Sequence, residues 1–323
     1  RQIGLILGPL LFILIRLTFY PEGISPEANA VFATTVWMAV WWITEAVGIE
    51  VTALLPIVLF PLTGALPLAK TTVSYGDKYV FLYMGGFMLA IAIEKWNLHR
   101  RIALNIIRLI GTDIKKIILG FMVATGFMSM WISNTATAVM MLPIAMAIVK
   151  QLEDNPDTIE NENLTFGKAL MLAVAYSASI GGIATLIGTP PNLVLAGVVK
   201  ELYNVEISFA EWMLVGLPIS AGLMFIAWYY LTNVAFKFRE KGFPGGKEEI
   251  NRQLKSIGRI SHEEVLVLIV FVTMALAWIT RSFVLKKFIP ALDDTLIAMI
   301  GAIVLFMLPA RGKGQQILDW KSA

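Results

Sequence analysis

Residues 117–149 carry no charged side chain over 33 positions, and residues 169–199 carry none either. Runs of this length suit a place without water, since a bilayer core of about 30 Å is crossed by about 20 apolar helical residues. Yet neither run reads as one straight helix. The first is interrupted by Ser133-Asn134-Thr135, and a single helix would be too long and would set an Asn in lipid. Two full spans would need about 40 residues, and the arms 117–132 and 136–149 reach only about 24 and 21 Å. A re-entrant hairpin meets these lengths: it dips to mid-depth, turns at the polar tip and returns to the same side. Irregular backbone at that depth is tolerated only against protein or a water-filled cavity.

The second run repeats the theme. Ser177-Ala178-Ser179-Ile180-Gly181-Gly182 is rich in small residues that let helices approach. Gly188-Thr189-Pro190-Pro191-Asn192 then breaks the helix, because two prolines cannot continue one but can start one. The expectation is a discontinuous span: a half-helix, an unwound loop at 187–189, and a second half-helix from about Pro190.

Composition agrees. Of 323 residues 57% are hydrophobic and 15% charged, against roughly 25% charged in soluble domains. That excludes a soluble enzyme, a disordered chain and a nucleic-acid binder. The net charge of +3 comes from basic residues in loops between apolar segments, as the positive-inside rule expects. With no cysteine, disulfides, thiolate chemistry and cysteine-held metals are excluded. His99 and His262 lie among charged residues and read as solvated loop positions, with no partner for nucleophilic catalysis.

Further spans are expected at 3–20, near 29–46 and 49–65, and at 79–94, 213–236, 264–280 and 295–310. The first apolar run has no small-residue cleavage site after it and reads as a span rather than a signal peptide. The basic segments 95–116 and 237–259 belong on the cytoplasmic side. The acidic loop 150–168, with Glu153, Asp154, Asp157, Glu160 and Glu162, counts little in that rule. The N-terminus is then cytoplasmic if 29–65 spans twice. Glu45, beside Trp41 and Trp42, reads as an interfacial carboxylate with a structural role. Gly85 and Gly86 read as a helix contact, and the methionines from Met122 to Met146 as adaptable packing.

Two helix breaks at one depth supply chemistry. Helix N-termini after Thr135 and at Pro190 carry unpaired N–H groups and positive dipole ends, which suit an anion without a charged side chain. The arms ending at Ile132 and near Ile187 offer carbonyl oxygens to Na⁺. Asn134 can turn its amide oxygen to the cation and its NH₂ to the anion, and Ser129, one turn before Ser133, can face the same pocket. This is the layout of a secondary transporter's midplane site. Taken alone, the Ser-Asn-Thr run also suits an interhelical hydrogen-bond cluster, and Gly-Thr-Pro-Pro-Asn an extramembrane turn.

The stretches from Ser129 to Pro143 (SMWISNTATAVMMLP) and from Ala175 to Asn192 (AYSASIGGIATLIGTPPN) resemble the divalent-anion/sodium symporter family, the INDY-type dicarboxylate transporters. Trp-Ile-Thr-Glu-Ala at 42–46 and Phe-Leu-Tyr-Met-Gly-Gly-Phe at 81–87 are similar too, so the likeness covers essentially the whole chain. It implies an all-α polytopic membrane protein, an inverted-repeat secondary transporter with a re-entrant hairpin and discontinuous helices, working as an elevator and as a homodimer. The family's first sodium site falls on Ser129, Ser133, Asn134 and the backbone of Gly188. The substrate carboxylate falls to Asn134, Thr135 and Thr189, with Ser133 and Pro190 beside it. Residues 1–94 and 260–323 would be scaffold, 95–116 an amphipathic arm, 117–236 the transport-domain half, and 237–259 a cytoplasmic loop.

The implied activity is Na⁺-coupled movement of C4–C5 dicarboxylates such as succinate, malate or 2-oxoglutarate. Na⁺-independent exchange, or carriage of sulfate or citrate, are the alternatives. An intramembrane enzyme lacks its base or metal set, since no Cys, His or paired Asp lies at depth. The family pattern has two inverted repeats, each with its own Ser-Asn-Thr hairpin. Only one such triplet occurs here, so the expectation is a copy without the second hairpin.

Overall fold

The computed structural model describes residues 1–111, 113–153, 160–238, 246–311 and 315–322. Its regular structure is helical, and the one β-bridge among these residues joins Pro309 to Gln316. Residues 1–80 and 81–323 form two compact units.

In the first unit α1 (Gln2–Thr18) packs along α2 (Pro26–Thr44). Gly4 and Gly8 allow this, because a Cβ at either would run into Thr44 or into Trp37 and Trp41. Ser25 caps α2 by accepting from the Ala28 N–H, with Pro26 opening the helix. The helix stops at Glu45, an exposed residue in the left-handed region at φ 46°. The apolar stretch after it, expected as one segment over 49–65, is divided into α3 (Ile49–Thr52) and α4 (Leu55–Thr63), which Gly64 ends. Then come α5 (Leu68–Val73) and the start of α6 (Lys78–Lys95), whose greater part lies in the second unit.

The second unit continues with α7 (Leu98–Ile110), α8 (Ile114–Ser129), α9 (Asn134–Glu153), α10 (Glu160–Gly182) and α11 (Pro190–Tyr203). After these come α12 (Phe209–Tyr229), α13 (Gly246–Ile257), α14 (His262–Thr280), α15 (Lys286–Phe288) and α16 (Asp294–Met307). Both α12 and α14 widen at their ends into π turns, Tyr230–Ala235 and Arg281–Leu285. The core lies where α8 packs on α7 and α10. It is filled by Ile117, Ile118, Phe121, Phe166, Leu170 and Ala173.

Four helical stretches are long and apolar enough to cross a membrane: Leu68–Lys95, Asn163–Gly182, Phe209–Ala235 and His262–Phe288. Their outer faces are apolar too. On α12, Leu214 is 77% exposed and Ile226 63%, an arrangement that suits lipid. Neither arm of the hairpin, α8 or α9, is among the four, and the apolar part of α9 is the shorter stretch Asn134–Lys150.

Several expectations shift. The hairpin turns at residues 130–133, so Asn134 and Thr135 form the first turn of α9 instead of the tip. The unwound loop runs over 183–189, longer than expected, and α10 begins at Glu160, nine residues early. The expected cytoplasmic loop 237–259 holds the amphipathic helix α13, whose Ile250 is buried and whose Leu254 packs on the core. Asp154 and Asp157 of the acidic loop, and Arg239 and Lys241 of the basic one, lie outside the described residues. His99 is not solvated: it is buried on α7, its Nδ1 3.4 Å from the Ile93 carbonyl oxygen. Gly85 is a helix contact, 2.7 Å from the Ala298 backbone as measured from a Cβ built on it.

Candidate functional site

The site grows from the ends of three helices. Ser129 closes α8, Asn134 opens α9 and Gly182 closes α10. The Ser129 hydroxyl is fully buried, 2.7 Å from the Asn134 amide oxygen and 2.6 Å from the Ala178 carbonyl oxygen. A hydroxyl has one proton, so it satisfies one of these acceptors at a time. Three neutral oxygens therefore converge around the buried Ser129 hydroxyl, with Asn134 itself half-buried. Among the described residues no group of three His, Asp or Glu side chains is placed to hold a metal. The oxygens gathered here are a hydroxyl, an amide and a carbonyl, all neutral.

Glycines let the helix ends meet. A Cβ on Gly182 would strike the Asn134 amide, and one on Gly188 would stand 2.5 Å from the Gly182 carbonyl oxygen. Gly181 lies against the Gly126 backbone, so α8 and α10 touch main chain to main chain. The break thus lies directly against the start of the hairpin's second arm. From behind, α12 supports it: Trp212 Nε1 donates to the Ile183 carbonyl at 2.9 Å and the Ser220 hydroxyl to that of Ile180 at 2.8 Å.

Ser133 acts within the hairpin. Its hydroxyl accepts from the Ala136 N–H at 3.3 Å and its carbonyl from the Thr137 N–H at 2.9 Å. This N-cap leaves the N–H groups of Asn134 and Thr135 without helical partners, as at any helix start. Thr189 is extended, at φ −150° and ψ 143°, and leads into α11 with Pro190 and Pro191 in its first turn. Thr135 is exposed, Thr189 half-buried and Pro190 exposed. No side-chain hydrogen bond among the described residues joins the two threonines to the buried network. Ser129 and Asn134 therefore meet around the buried Ser129 hydroxyl, Gly182 links Asn134 to Gly188, and Ser133 caps the turn, while Thr135, Thr189 and Pro190 stand outside this hydrogen-bond network. That division suits a buried cation and an accessible anion.

The chain matches the family described as "Sodium:sulfate symporter transmembrane region" over residues 2–323. It belongs to the sodium:sulfate symporter family. It is 45% identical to the sodium-dependent dicarboxylate transporter SdcS of Staphylococcus saprophyticus. It is 48% and 47% identical to the proteins of the same name from S. aureus strains bovine RF122 and USA300. Each match covers all of this chain and 63% of the relative's length. With its apolar crossing helices, this member of the symporter family is an integral membrane protein.

Two features of this symporter-family site escaped sequence reasoning. Asn192 sits one turn into α11 and points back into the break, donating to the carbonyls of Gly182 at 2.9 Å and Thr185 at 2.8 Å. Its position just after the paired prolines was the available signal. Trp131, at the hairpin turn, lies 6.0 Å from Phe209 and 6.3 Å from Trp278 in stacked geometry, and edge-on to Phe271 at 4.9 Å. Beneath it the Trp278 indole N–H donates to the Asp294 carbonyl at 3.0 Å, and the Asp294 carboxylate lies 2.8 Å from Arg281 Nε. Nothing in the local sequence marks these distant partners.

Proposed function

We propose that the protein is a secondary active transporter that moves C4–C5 dicarboxylates with Na⁺ across the cytoplasmic membrane. The observation that carries this is the cluster of Ser129, Asn134 and Ala178 oxygens around the buried Ser129 hydroxyl, at the meeting of two helix breaks. It lies in a chain whose relatives are named sodium-dependent dicarboxylate transporters. Na⁺ takes the oxygens of Ser129, Ser133 and Asn134 and the carbonyl of Gly188. One substrate carboxylate takes the N–H groups that open α9, the hydroxyls of Thr135 and Thr189, and the positive end of α11 beside Pro190.

Coupling follows from Asn134, which is common to both sets. A cation fixes its amide oxygen and so presents its NH₂ to the anion. Each ligand then raises the affinity for the other. The hairpin α8–α9 is re-entrant, and 117–236 moves as the transport half against scaffold helices in an elevator homodimer with a cytoplasmic N-terminus. Sulfate is the second reading, because the family description names it.

Asn134→Ala and Thr135→Ala are expected to abolish radiolabelled succinate uptake by the full-length protein while leaving its detergent-extracted size-exclusion profile intact. Normal uptake by both variants would remove the assigned site. Competition by excess sulfate at the level of excess succinate would favour the second reading.

A further inference from the structure

We infer that Thr185 and Asn192 are positioning residues for Na⁺: together they tie α11, the unwound loop and the hairpin turn into one register. The inference rests on the Na⁺-coupled reading above and adds residues that are not themselves ligands of the cation or the anion.

The loop 183–189 is non-helical backbone buried in a membrane protein, so its carbonyls need partners. Asn192 supplies two. It is 7% exposed, and its NH₂ group gives one hydrogen to the Gly182 carbonyl at 2.9 Å and the other to that of Thr185 at 2.8 Å. The Gly188 N–H adds a second bond to the Thr185 carbonyl at 3.3 Å. These oxygens are thereby held facing α11, away from the cation's place, while the Ala178 carbonyl faces Ser129.

Thr185 carries the connection onward. It is fully buried, and its hydroxyl donates across to the Met130 carbonyl, the first residue past α8. Met130 follows Ser129 directly. The main chain of Thr185 is thus held by α11 and its side chain holds the hairpin, one peptide from the hydroxyl that would bind Na⁺. Removing the Thr185 hydroxyl frees the hairpin turn to shift against the break. Ser129 and Asn134 lie on the hairpin side and Gly188 on the loop side, so the shift spoils a cation set drawn from both. The anion's groups straddle the same seam, but at saturating Na⁺ the bound cation draws the two sides together again and restores them.

The test is the Na⁺ dependence of radiolabelled succinate uptake by the full-length protein in proteoliposomes, for wild type, Thr185→Val, Thr185→Ser and Asn192→Asp. Valine matches threonine in shape and lacks the donor, serine keeps the donor, and aspartate keeps the shape of Asn192 while turning donors into acceptors. Thr185→Val and Asn192→Asp are expected to raise the Na⁺ concentration for half-maximal uptake on the order of tenfold, the ratio one hydrogen bond represents. At saturating Na⁺ the succinate KM stays near the wild-type value, and Thr185→Ser stays near wild type throughout. A folded Thr185→Val or Asn192→Asp with unchanged Na⁺ dependence overturns the inference. So does an equal effect of valine and serine, or the failure of both Thr185→Val and Asn192→Asp to fold, which would mean a structural role alone. Wild-type uptake indifferent to Na⁺ would instead overturn the Na⁺-coupled reading, and this inference with it.

Discussion

Ser129 and Asn134 stand on opposite sides of the hairpin turn, and the hydroxyl of one lies 2.7 Å from the amide oxygen of the other. The same hydroxyl reaches the Ala178 carbonyl at 2.6 Å. A turn of irregular backbone is thus closed by side-chain oxygen that a cation can replace. On the proposed reading, Ser129→Ala removes one Na⁺ ligand and keeps the backbone. Its expected effect is a rise in the Na⁺ needed for half-maximal uptake of about tenfold, the equivalent of one hydrogen-bonding partner. Titration of Na⁺ against initial rate measures it.

The contact of Gly181 with the Gly126 backbone sets how closely α8 and α10 lie. A methyl group at 181 meets main chain, which cannot rotate away, so the helices must separate. Gly181→Ala is expected to cost at least about 1–3 kcal/mol, the range for overpacking a close-packed site. Gly301→Ala meets only the flexible side chain of Met274 and should cost less. Thermal unfolding in detergent compares the two.

His99 is expected to make stability pH-dependent. Burial holds its pKa below the ordinary 6.5, reinforced by Arg100 and opposed by its bond to Ile93 and by Glu94. The unfolded imidazole therefore takes up a proton near pH 6.5 while the folded one is still neutral. Stability is full above that pH and is lost as pH falls towards the folded pKa. His99→Asn removes this titration, so its melting temperature should depend less on pH than that of wild type between about pH 8 and about pH 5.

Arg101 and Glu264 join α7 to α14 through two bonds, Nε to Oε1 at 2.9 Å and a terminal nitrogen to Oε2 at 3.1 Å. Glu264 is buried and also accepts from the Ser261 N–H in the capping box of α14. Arg101→Leu leaves that carboxylate without its cation, at an expected cost of about 3–5 kcal/mol. Arg101→Lys keeps the charge without the fork and should lose less. Denaturant or thermal unfolding distinguishes them.

Most of the helix pattern was legible because charge-free runs and paired prolines act locally. The absence of charge over 117–149 marked the hairpin, and Pro190 with Pro191 marked the start of α11. The proposed site residues Ser129, Asn134 and Gly188 stood out for the same reason, since each lies at or beside a helix break. What stayed hidden depends on which face of a helix meets a distant one. His99 has Arg100 and Arg101 as chain neighbours, yet helical spacing puts it with Leu98, Ala103 and Ile107 on the buried face of α7. Thr185 looked like one more small residue, and its partner Met130 lies 55 positions away. The end of α10 came out early because Asn192 can satisfy carbonyls at Gly182 and Thr185, letting the helix stop well before the prolines.

Na⁺-coupled dicarboxylate transport is put to the test by radiolabelled succinate uptake into proteoliposomes of the full-length protein. It is run with an inward Na⁺ gradient, and again with K⁺ replacing Na⁺ and malate inside. Na⁺ coupling gives concentrative uptake with Na⁺ and none without it. Uptake that needs internal malate and ignores Na⁺ would contradict it and make the protein an exchanger.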